Sequence, residues 1–276
     1  MVYKLIGLGV AACASLFTHV VLAFELITPL QQGALVFGKA LPGEQVFFDG
    51  RKLKLDQQGN FIVGLDRDEP GTIEFRVVSE DKEAIHKVSV AQREYRIQKI
   101  EGVPQETVTP NPDQVARSRK EAAMVWAARN HYSDLGYFHD EFSWPLTGPI
   151  TGVYGSQRVY NGVPKRPHYG LDIARPTGTR VKAPVGGIVR LVHSDMFYSG
   201  GTLIVDHGHG LSSSFIHLSK ILVSEGDEIQ AGQEIAEVGS SGRATGPHLD
   251  WRMNWFGRKV DPELLVGPME NEVAKE

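Results

Sequence analysis

The stretch from His248 to Trp255 alternates between polar and apolar residues. On a β-strand, such alternation places the polar side chains on one face and the apolar side chains on the other. The polar set is His248, Asp250, Arg252 and Asn254. Neighbours on that face lie about 6.6 Å apart at the Cα, so two side chains can reach one small centre. A solvent-facing strand in which Asp250 pairs with Arg252 explains the same pattern.

A second candidate pair is His168 and Asp172, in the sequence His-Tyr-Gly-Leu-Asp. Imidazole and carboxylate are both ligand types for Zn²⁺. Four residues of straight strand would separate the two by roughly 13 Å, too far for one metal ion. The pair therefore needs a bend between its members, and Gly170 permits one.

Four further histidines lie between these two motifs: His193, which has no partner visible in the sequence, and His207, His209 and His217. His217 ends the apolar strand predicted from Ser214 to Leu218 and is a third candidate for the site. His207 and His209 flank Gly208, which predicts a turn with both imidazoles in water.

The composition is that of a globular protein. The 276 residues are 41% hydrophobic and 22% charged, and suffice for about two domains of roughly 100–200 residues each. A net charge of −4 provides no basic surplus for a phosphate backbone, so nucleic acid is not expected as a partner.

Residues 1–23 resemble a secretory signal. Lys4 provides the positive start, an apolar stretch runs from Leu5 to Leu16, and Val21–Ala23 fits the small-x-small cleavage pattern. We expect a cleaved signal, a periplasmic protein and no membrane span in the mature chain. An uncleaved anchor is one alternative. Lipoprotein processing at Cys13 is another, although the apolar stretch continues past that residue.

Cys13 is the single cysteine of the chain and precedes the predicted cleavage point. The mature chain would then contain none, which excludes disulfides, thiolate catalysis and cysteine-based metal sites.

The rest of the chain indicates a mostly β protein with one connecting helix. Residues 24–101 predict a small antiparallel β-sandwich, with an Asp49-Gly50 turn and alternation from Ile73 to Val77. Residues 102–141 form a linker and a helix, with Asn111 as N-cap and Pro112 at the first position. Strands and turns fill residues 142–267, and residues 268–276 are a polar tail.

Three stretches, taken in order, resemble the lysostaphin-type (LytM) zinc endopeptidases of bacterial cell walls. The first runs from Phe142-Ser143-Trp144-Pro145-Leu146 to His168-x-Gly170-x-Asp172-Ile173-Ala174, the second from Gly186-Gly187 through Gly200-Gly201 to His217-Leu218-Ser219, and the third from Gly226-Asp227 through Gly232-Gln233 to Thr245-Gly246-Pro247-His248-Leu249. The resemblance covers roughly residues 142–266 and implies an antiparallel β-sheet peptidase domain.

The resemblance implies a role for each candidate residue. His168 and Asp172 match two zinc ligands of the family, and His217 and His248 match its two catalytic histidines. Asp250 stands where the family has its third ligand, a histidine. A carboxylate binds Zn²⁺ at about 2.0–2.2 Å, so Asp250 can serve as the ligand. Such a set is harder and more anionic, which weakens the Lewis acidity of the metal and makes Mn²⁺ or similar ions more competitive.

The activity implied is metal-assisted hydrolysis of peptidoglycan stem peptides in the bacterial envelope, with one Zn²⁺ per chain. The metal would leave one position open for water and lower the water pKa towards about 7. One of His217 and His248 would take the proton of the water and the other would stabilise the oxyanion, in either order. The D-Ala–diaminopimelate cross-link is the first substrate to test.

Two other functions are compatible with parts of the sequence. A member of the family without activity could bind and activate another cell-wall hydrolase, and Asp250 favours that alternative, whereas the four retained site residues favour the enzyme. The segment Gly226–Ile235 also resembles hairpins of lipoyl and biotinyl carrier domains. Such a carrier needs a lysine at a hairpin tip, and Val181–Pro184 lacks the flanking residues expected there.

Overall fold

The computed structural model describes residues 24–80, 82–100, 111–160 and 162–269. The predicted signal peptide lies outside the described residues. The N-terminal strands are β1 (Phe24–Leu26), β2 (Leu35–Ala40), β3 (Gln45–Phe48), β4 (Arg51–Lys52), β5 (Asn60–Gly64), β6 (Thr72–Ser79), β7 (Lys82–Ser89) and β8 (Ile97–Ile100). The helices are α1 (Pro112–Arg129) and the short α2 (Glu263–Val266), with a 3-10 turn at Tyr137–His139.

Thirteen strands follow α1 in the described residues. They are β9 (Ile150–Gly152), β10 (Gln157–Tyr160), β11 (Val163–Pro164), β12 (Leu171–Ala174), β13 (Arg180–Lys182), β14 (Gly187–Met196), β15 (Gly200–Gly208), β16 (Leu211–Leu218), β17 (Lys220–Ile221), β18 (Glu228–Ile229), β19 (Glu234–Glu237), β20 (His248–Trp255) and β21 (Arg258–Val260). The mostly β fold class with one connecting helix is confirmed.

The N-terminal region packs two antiparallel sheets, β1-β2-β5 and β4-β3-β6-β7, face to face. The rings of Phe61 in β5 and Phe75 in β6 lie 6.3 Å apart between centroids. Asp49 and Gly50 have φ of 48° and 71°, the left-handed conformations of a two-residue hairpin turn, and they join β3 to β4. The β-sandwich and this turn are as the sequence predicts.

Helix α1 begins where its capping residues place it. The Asn111 side chain accepts from the Gln114 N–H at 2.9 Å, and the Asn111 N–H donates to Gln114 Oε1 at 3.0 Å. This reciprocal pair is a capping box. Ala128 then packs in a small apolar cluster with Leu191 and Ile204 of β14 and β15, so the helix lies on the large C-terminal sheet.

That large sheet has the order β18-β14-β15-β16-β20-β12-β9, with β21 paired to β20, and a smaller sheet β13-β19-β17 accompanies it. In β16 and β20, Phe215 lies opposite Trp251, and both are fully buried in the core. Ser214 lies opposite Arg252 and Ile216 opposite Asp250 on the other face. The alternation of β20 therefore places the candidate site residues His248 and Asp250 on the face opposite the apolar core.

The N-terminal region and the C-terminal domain share one apolar core. Phe48 of β3 and Trp255 of β20 lie 6.1 Å apart between ring centroids. Strand β8 pairs in parallel with β10 and so joins the two parts through the backbone. In the described residues, no helix is long and apolar enough to cross a membrane.

The expectation that His207 and His209 lie in water is wrong. His207 belongs to β15 and is 0% exposed, and His209 is 5% exposed. The segment after α1 covers this turn: the His209 N–H donates to the Ser133 carbonyl at 3.1 Å, and the His209 ring lies 4.4 Å from that of Phe138.

Candidate metal centre

Two neighbouring strands bring the predicted carboxylates together. Asp172 of β12 lies directly opposite Asp250 of β20, which puts both side chains on the same face of the sheet. His168 precedes β12. In the described residues, one ligand atom from each of these three side chains lies within 4.8 Å of the other two. The spacing suits a single small cation.

Gly170 supplies the bend that the sequence requires between His168 and Asp172. The two ligand atoms are 3.2 Å apart, from His168 Nε2 to Asp172 Oδ1. The absence of a side chain at Gly170 also makes room for the third candidate ligand, because a Cβ there would lie 2.5 Å from Asp250 Oδ1. Gly152 leaves similar room for the Asp172 carboxylate.

Two of the candidate ligand atoms are buried without a hydrogen-bond partner among the described residues. These are His168 Nε2 and Asp172 Oδ1. Buried polar atoms are nearly always paired, since an unpaired one costs about 1–3 kcal/mol. A cation between the two atoms would satisfy both, so the donor set fits a bound metal ion.

Asp250 has a second partner, the guanidinium of Arg252. Arg252 Nε donates to Asp250 Oδ1 at 2.8 Å and Arg252 Nη2 to Oδ2 at 2.5 Å. Burial opposes ionisation of this carboxyl, but the charge and hydrogen bonds of Arg252 prevail and hold the pKa of Asp250 below its usual value. An ionised carboxylate has about four acceptor positions, so two remain for a metal ion. Ion pair and ligand cluster therefore occur together at Asp250.

His217 and His248 flank this cluster, with ring centroids 4.9 Å apart. His217 Nδ1 lies 2.8 Å from the Ser241 carbonyl, and His248 Nδ1 lies 2.8 Å from the Gly246 carbonyl. A carbonyl only accepts, so Nδ1 carries the proton in both rings and Nε2 is left for chemistry. His248 Nε2 is 3.7 Å from Asp172 Oδ1.

His217 has an unusual backbone conformation and a buried ring. Its φ is 65°, uncommon for a residue with a side chain, at the end of β16. The residue is 7% exposed, and burial lowers the pKa of its imidazole. His217 is therefore neutral at pH 7 and able to accept a proton.

A sequence model of peptidase family M23 matches residues 166–262, which include all five candidate residues. The C-terminal domain belongs to this family. The resemblance to the lysostaphin-type (LytM) peptidases is thereby confirmed for this domain.

Relatives of the M23 domain occur in several bacterial proteins. Over 109 residues the chain is 38% identical to the peptidoglycan DD-endopeptidase ShyA of Vibrio cholerae, which covers 40% of this chain and 25% of ShyA. Over 134 residues it is 34% identical to the murein hydrolase activator EnvC of Escherichia coli, covering 48% of this chain and 30% of EnvC. The chain thus spans less than a third of these relatives.

A solved structure extends the likeness beyond the M23 domain. The crystal structure of a putative peptidase M23 from Pseudomonas aeruginosa aligns with a TM-score of 0.69 at 28% identity. The alignment covers 88% of this chain and 97% of the other. The N-terminal region and the M23 domain therefore recur together in that structure.

Several residues around the M23 site escape detection in the sequence. The carbonyls of Ser241 and Gly246 fix the two histidines, yet any residue could supply a carbonyl. Arg129, at the end of α1, donates from Nη2 to Ser214 Oγ at 2.9 Å beside Arg252. Nothing in the sequence indicates that contact, which spans 85 positions. The spacing of two between Asp250 and Arg252 was a usable signal for the ion pair.

Proposed function

We propose that the M23 domain is a metal-dependent endopeptidase that hydrolyses peptide cross-links of peptidoglycan. The observation that carries the proposal is the convergence of His168, Asp172 and Asp250 beside two histidines whose Nε2 atoms are available. Membership of a peptidase family and the likeness to ShyA support it.

His168, Asp172 and Asp250 would hold one Zn²⁺, or a similar divalent ion, through one nitrogen and two carboxylate oxygens. The bound ion would polarise the scissile carbonyl and make water a stronger nucleophile at neutral pH. The sheet places Asp172 and Asp250 on adjacent strands, and backbone hydrogen bonds to Gly155 and Ser156 hold His168 beside them.

His217 and His248 would perform the proton transfers. One Nε2 would take the proton of the attacking water. The other ring would carry a proton on both nitrogens and would donate from Nε2 to the substrate oxygen as negative charge develops. The carbonyls of Ser241 and Gly246 hold the two rings in orientation throughout. General acid–base groups of this kind contribute roughly 10²–10⁴-fold to a rate.

The substrate we propose is the peptide cross-link between stem peptides, with D-Ala–diaminopimelate tested first. The name of ShyA identifies it as a peptidoglycan DD-endopeptidase, which favours a bond of this type. Action on that substrate would take place in the bacterial envelope. A periplasmic location agrees with the signal that the sequence predicts for residues 1–23.

The test is digestion of isolated peptidoglycan by the zinc-loaded protein, followed by chromatography and mass spectrometry of the muropeptides. Cross-linked dimers should decrease and monomers increase. His217→Ala and His248→Ala should be slower by roughly 10²-fold or more while still binding zinc. His131→Ala, at an exposed histidine outside the site, should match wild type. An unchanged muropeptide profile with folded, zinc-loaded protein would reject the proposal.

The likeness to EnvC is compatible with one alternative, a protein that binds and activates another cell-wall hydrolase. Such a protein needs no metal ligands. The retained donor set therefore favours the enzyme. An activator would leave muropeptides intact when alone and accelerate a partner hydrolase equally well with Asp172→Ala as with wild type.

A further inference from the structure

We propose that Arg252 is a positioning residue that sets the net charge of the metal centre through Asp250. This inference rests on the proposed function, since it concerns the ligands of the same ion. It assigns Arg252 a task in metal binding, beyond the pairing of charges on a strand.

The charges of the donor set motivate the inference. A neutral imidazole and two carboxylates carry −2. Catalytic zinc sites built from three histidines carry 0, and those built from two histidines and a glutamate carry −1. Arg252 adds one positive charge in direct contact with Asp250 and returns the centre to −1. With Arg252 as its partner, Asp250 contributes the same net charge as a neutral imidazole.

The geometry of the contact between Arg252 and Asp250 suits this positioning role. The planar guanidinium meets both oxygens of Asp250, which fixes the plane of the carboxylate as well as its charge. Asp250 is 2% exposed, so water screens the pair poorly. The space left by Gly170 accommodates both side chains, since a Cβ there would lie 2.6 Å from Arg252 Cγ.

Among the described residues, one further cation interacts with the charge of Asp250: the guanidinium of Arg129. Arg252 is the one basic side chain in the described residues that forms an ion pair with Asp250. Arg129 approaches from α1 but bonds Ser214, and it forms no described hydrogen bond or ion pair with the three ligands. Arg252 is therefore the cation whose hydrogen bonds both orient and neutralise a ligand.

A double-mutant cycle on the full chain tests the inference, with zinc affinity measured by competition with a chromophoric chelator. The net charges are −1 in wild type, 0 in Asp250→His, −2 in Arg252→Gln and −1 in the double variant. Asp250→His should bind zinc roughly tenfold more weakly or worse, because an unpaired guanidinium then faces a dication. Adding Arg252→Gln should recover most of that loss.

The recovery separates a charge role from a structural one. If Arg252 only supported the strand, Arg252→Gln would weaken zinc binding in both backgrounds. A double variant that binds zinc no better than Asp250→His would therefore overturn the inference. Arg252→Lys keeps the charge without the fork, so the zinc affinity that it loses measures the orientation of the carboxylate and not its charge. Thermal unfolding checks that each variant folds. A wild type that binds no zinc would overturn the proposed function as well.

Discussion

At the scale of single residues, Gly170 lies between His168 and Asp172 and faces the side chain of Asp250. Its φ is not among the positive values that favour glycine. A Cβ would lie 2.5 Å from Asp250 Oδ1 and 2.6 Å from the Trp251 carbonyl. The constraint on this position is therefore lack of space beside a candidate ligand and a fixed backbone.

Gly170→Ala should weaken zinc binding by roughly tenfold or more, because the added methyl group displaces the Asp250 carboxylate. The free energy of unfolding should fall by about 1–3 kcal/mol through overpacking. Chelator competition and urea unfolding measure the two effects. Gly257→Ala is the matched control, since a Cβ there meets nothing within 4 Å. Unchanged zinc affinity in Gly170→Ala would contradict the steric argument.

The buried His207 makes the stability of the fold depend on pH. Its Nδ1 lies 2.7 Å from the Gly186 carbonyl, and its Nε2 lies 2.7 Å from Ser213 Oγ. Both nitrogens are thus paired in the neutral ring. Burial lowers the pKa of His207 to about 4. The folded protein therefore resists the proton that the unfolded chain accepts near pH 6.5.

Stability should consequently fall as the pH decreases from about 6.5 towards 4. One pKa unit is worth about 1.4 kcal/mol, so His207 alone should cost about 2 kcal/mol between pH 7 and pH 5. His207→Gln should be less stable at pH 7 through lost hydrogen bonds, yet lose about 2 kcal/mol less than wild type on acidification. Urea unfolding at both pH values measures this. His131→Ala should keep the wild-type slope, and equal slopes in all three proteins would reject the assignment.

At the scale of elements, α1 supports the turn that leads into β15. Glu121 accepts from the Phe197 N–H at 2.8 Å and from Arg117 Nε at 2.7 Å. Two residues further on, the Ser199 carbonyl accepts from the His217 N–H at 2.8 Å. The helix thereby steadies the backbone at one of the two histidines of the site.

Glu121→Ala should lower the free energy of unfolding by about 1–3 kcal/mol, because it leaves the Phe197 N–H without its acceptor. Zinc affinity should not change, since the three candidate ligands are untouched. Lys120→Ala, at the exposed neighbouring position, should stay within about 0.5 kcal/mol of wild type. An equal effect of both substitutions would show that the buried contact contributes nothing.

Local sequence signals predicted α1 and β20 well, but they did not predict which other elements pack or pair with each other. Asn111 and Pro112 placed the start of α1, and the alternation from His248 to Trp255 predicted β20 with the bounds observed. The apolar face of α1 is weak, so the sequence did not indicate that the helix packs on β14 and β15. The parallel pairing of β8 with β10 joins residues 60 positions apart and leaves no local pattern.

The residues of the candidate site could be selected from the sequence, but the groups that position them could not. The histidines and carboxylates are chemically distinct and occur in an ordered set of motifs. The backbone carbonyls that hold the histidines have no such signature. The polar face of β20 was compatible with a strand exposed to water, but Asp250 and Asn254 are buried. Burial depends on what lies above the sheet, and that is set by the whole chain.

At the scale of the molecule, buried polar contacts join the N-terminal region to the M23 domain. Arg93 Nη1 lies 2.8 Å from Asp261 Oδ2, and the Asp261 side chain is 1% exposed. Burial raises the pKa of Asp261, and Arg93 opposes that effect. Arg67 Nε also donates to the Gly155 carbonyl at 2.8 Å. With the shared apolar core, these contacts should make the two parts unfold together.

Arg93→Ala should lower the free energy of unfolding by about 3–5 kcal/mol, because it leaves a buried carboxylate without its cation. Calorimetry should show one transition for wild type and one, at lower temperature, for the variant. Adding Asp261→Asn should recover part of the loss, since the buried charge is then removed. Lys87→Ala breaks an exposed pair with Glu74 and should cost no more than about 1 kcal/mol. Two separate transitions in wild type would mean that the two regions fold independently. The Arg93–Asp261 contact would then connect two domains that are each stable alone, and would not belong to a common core.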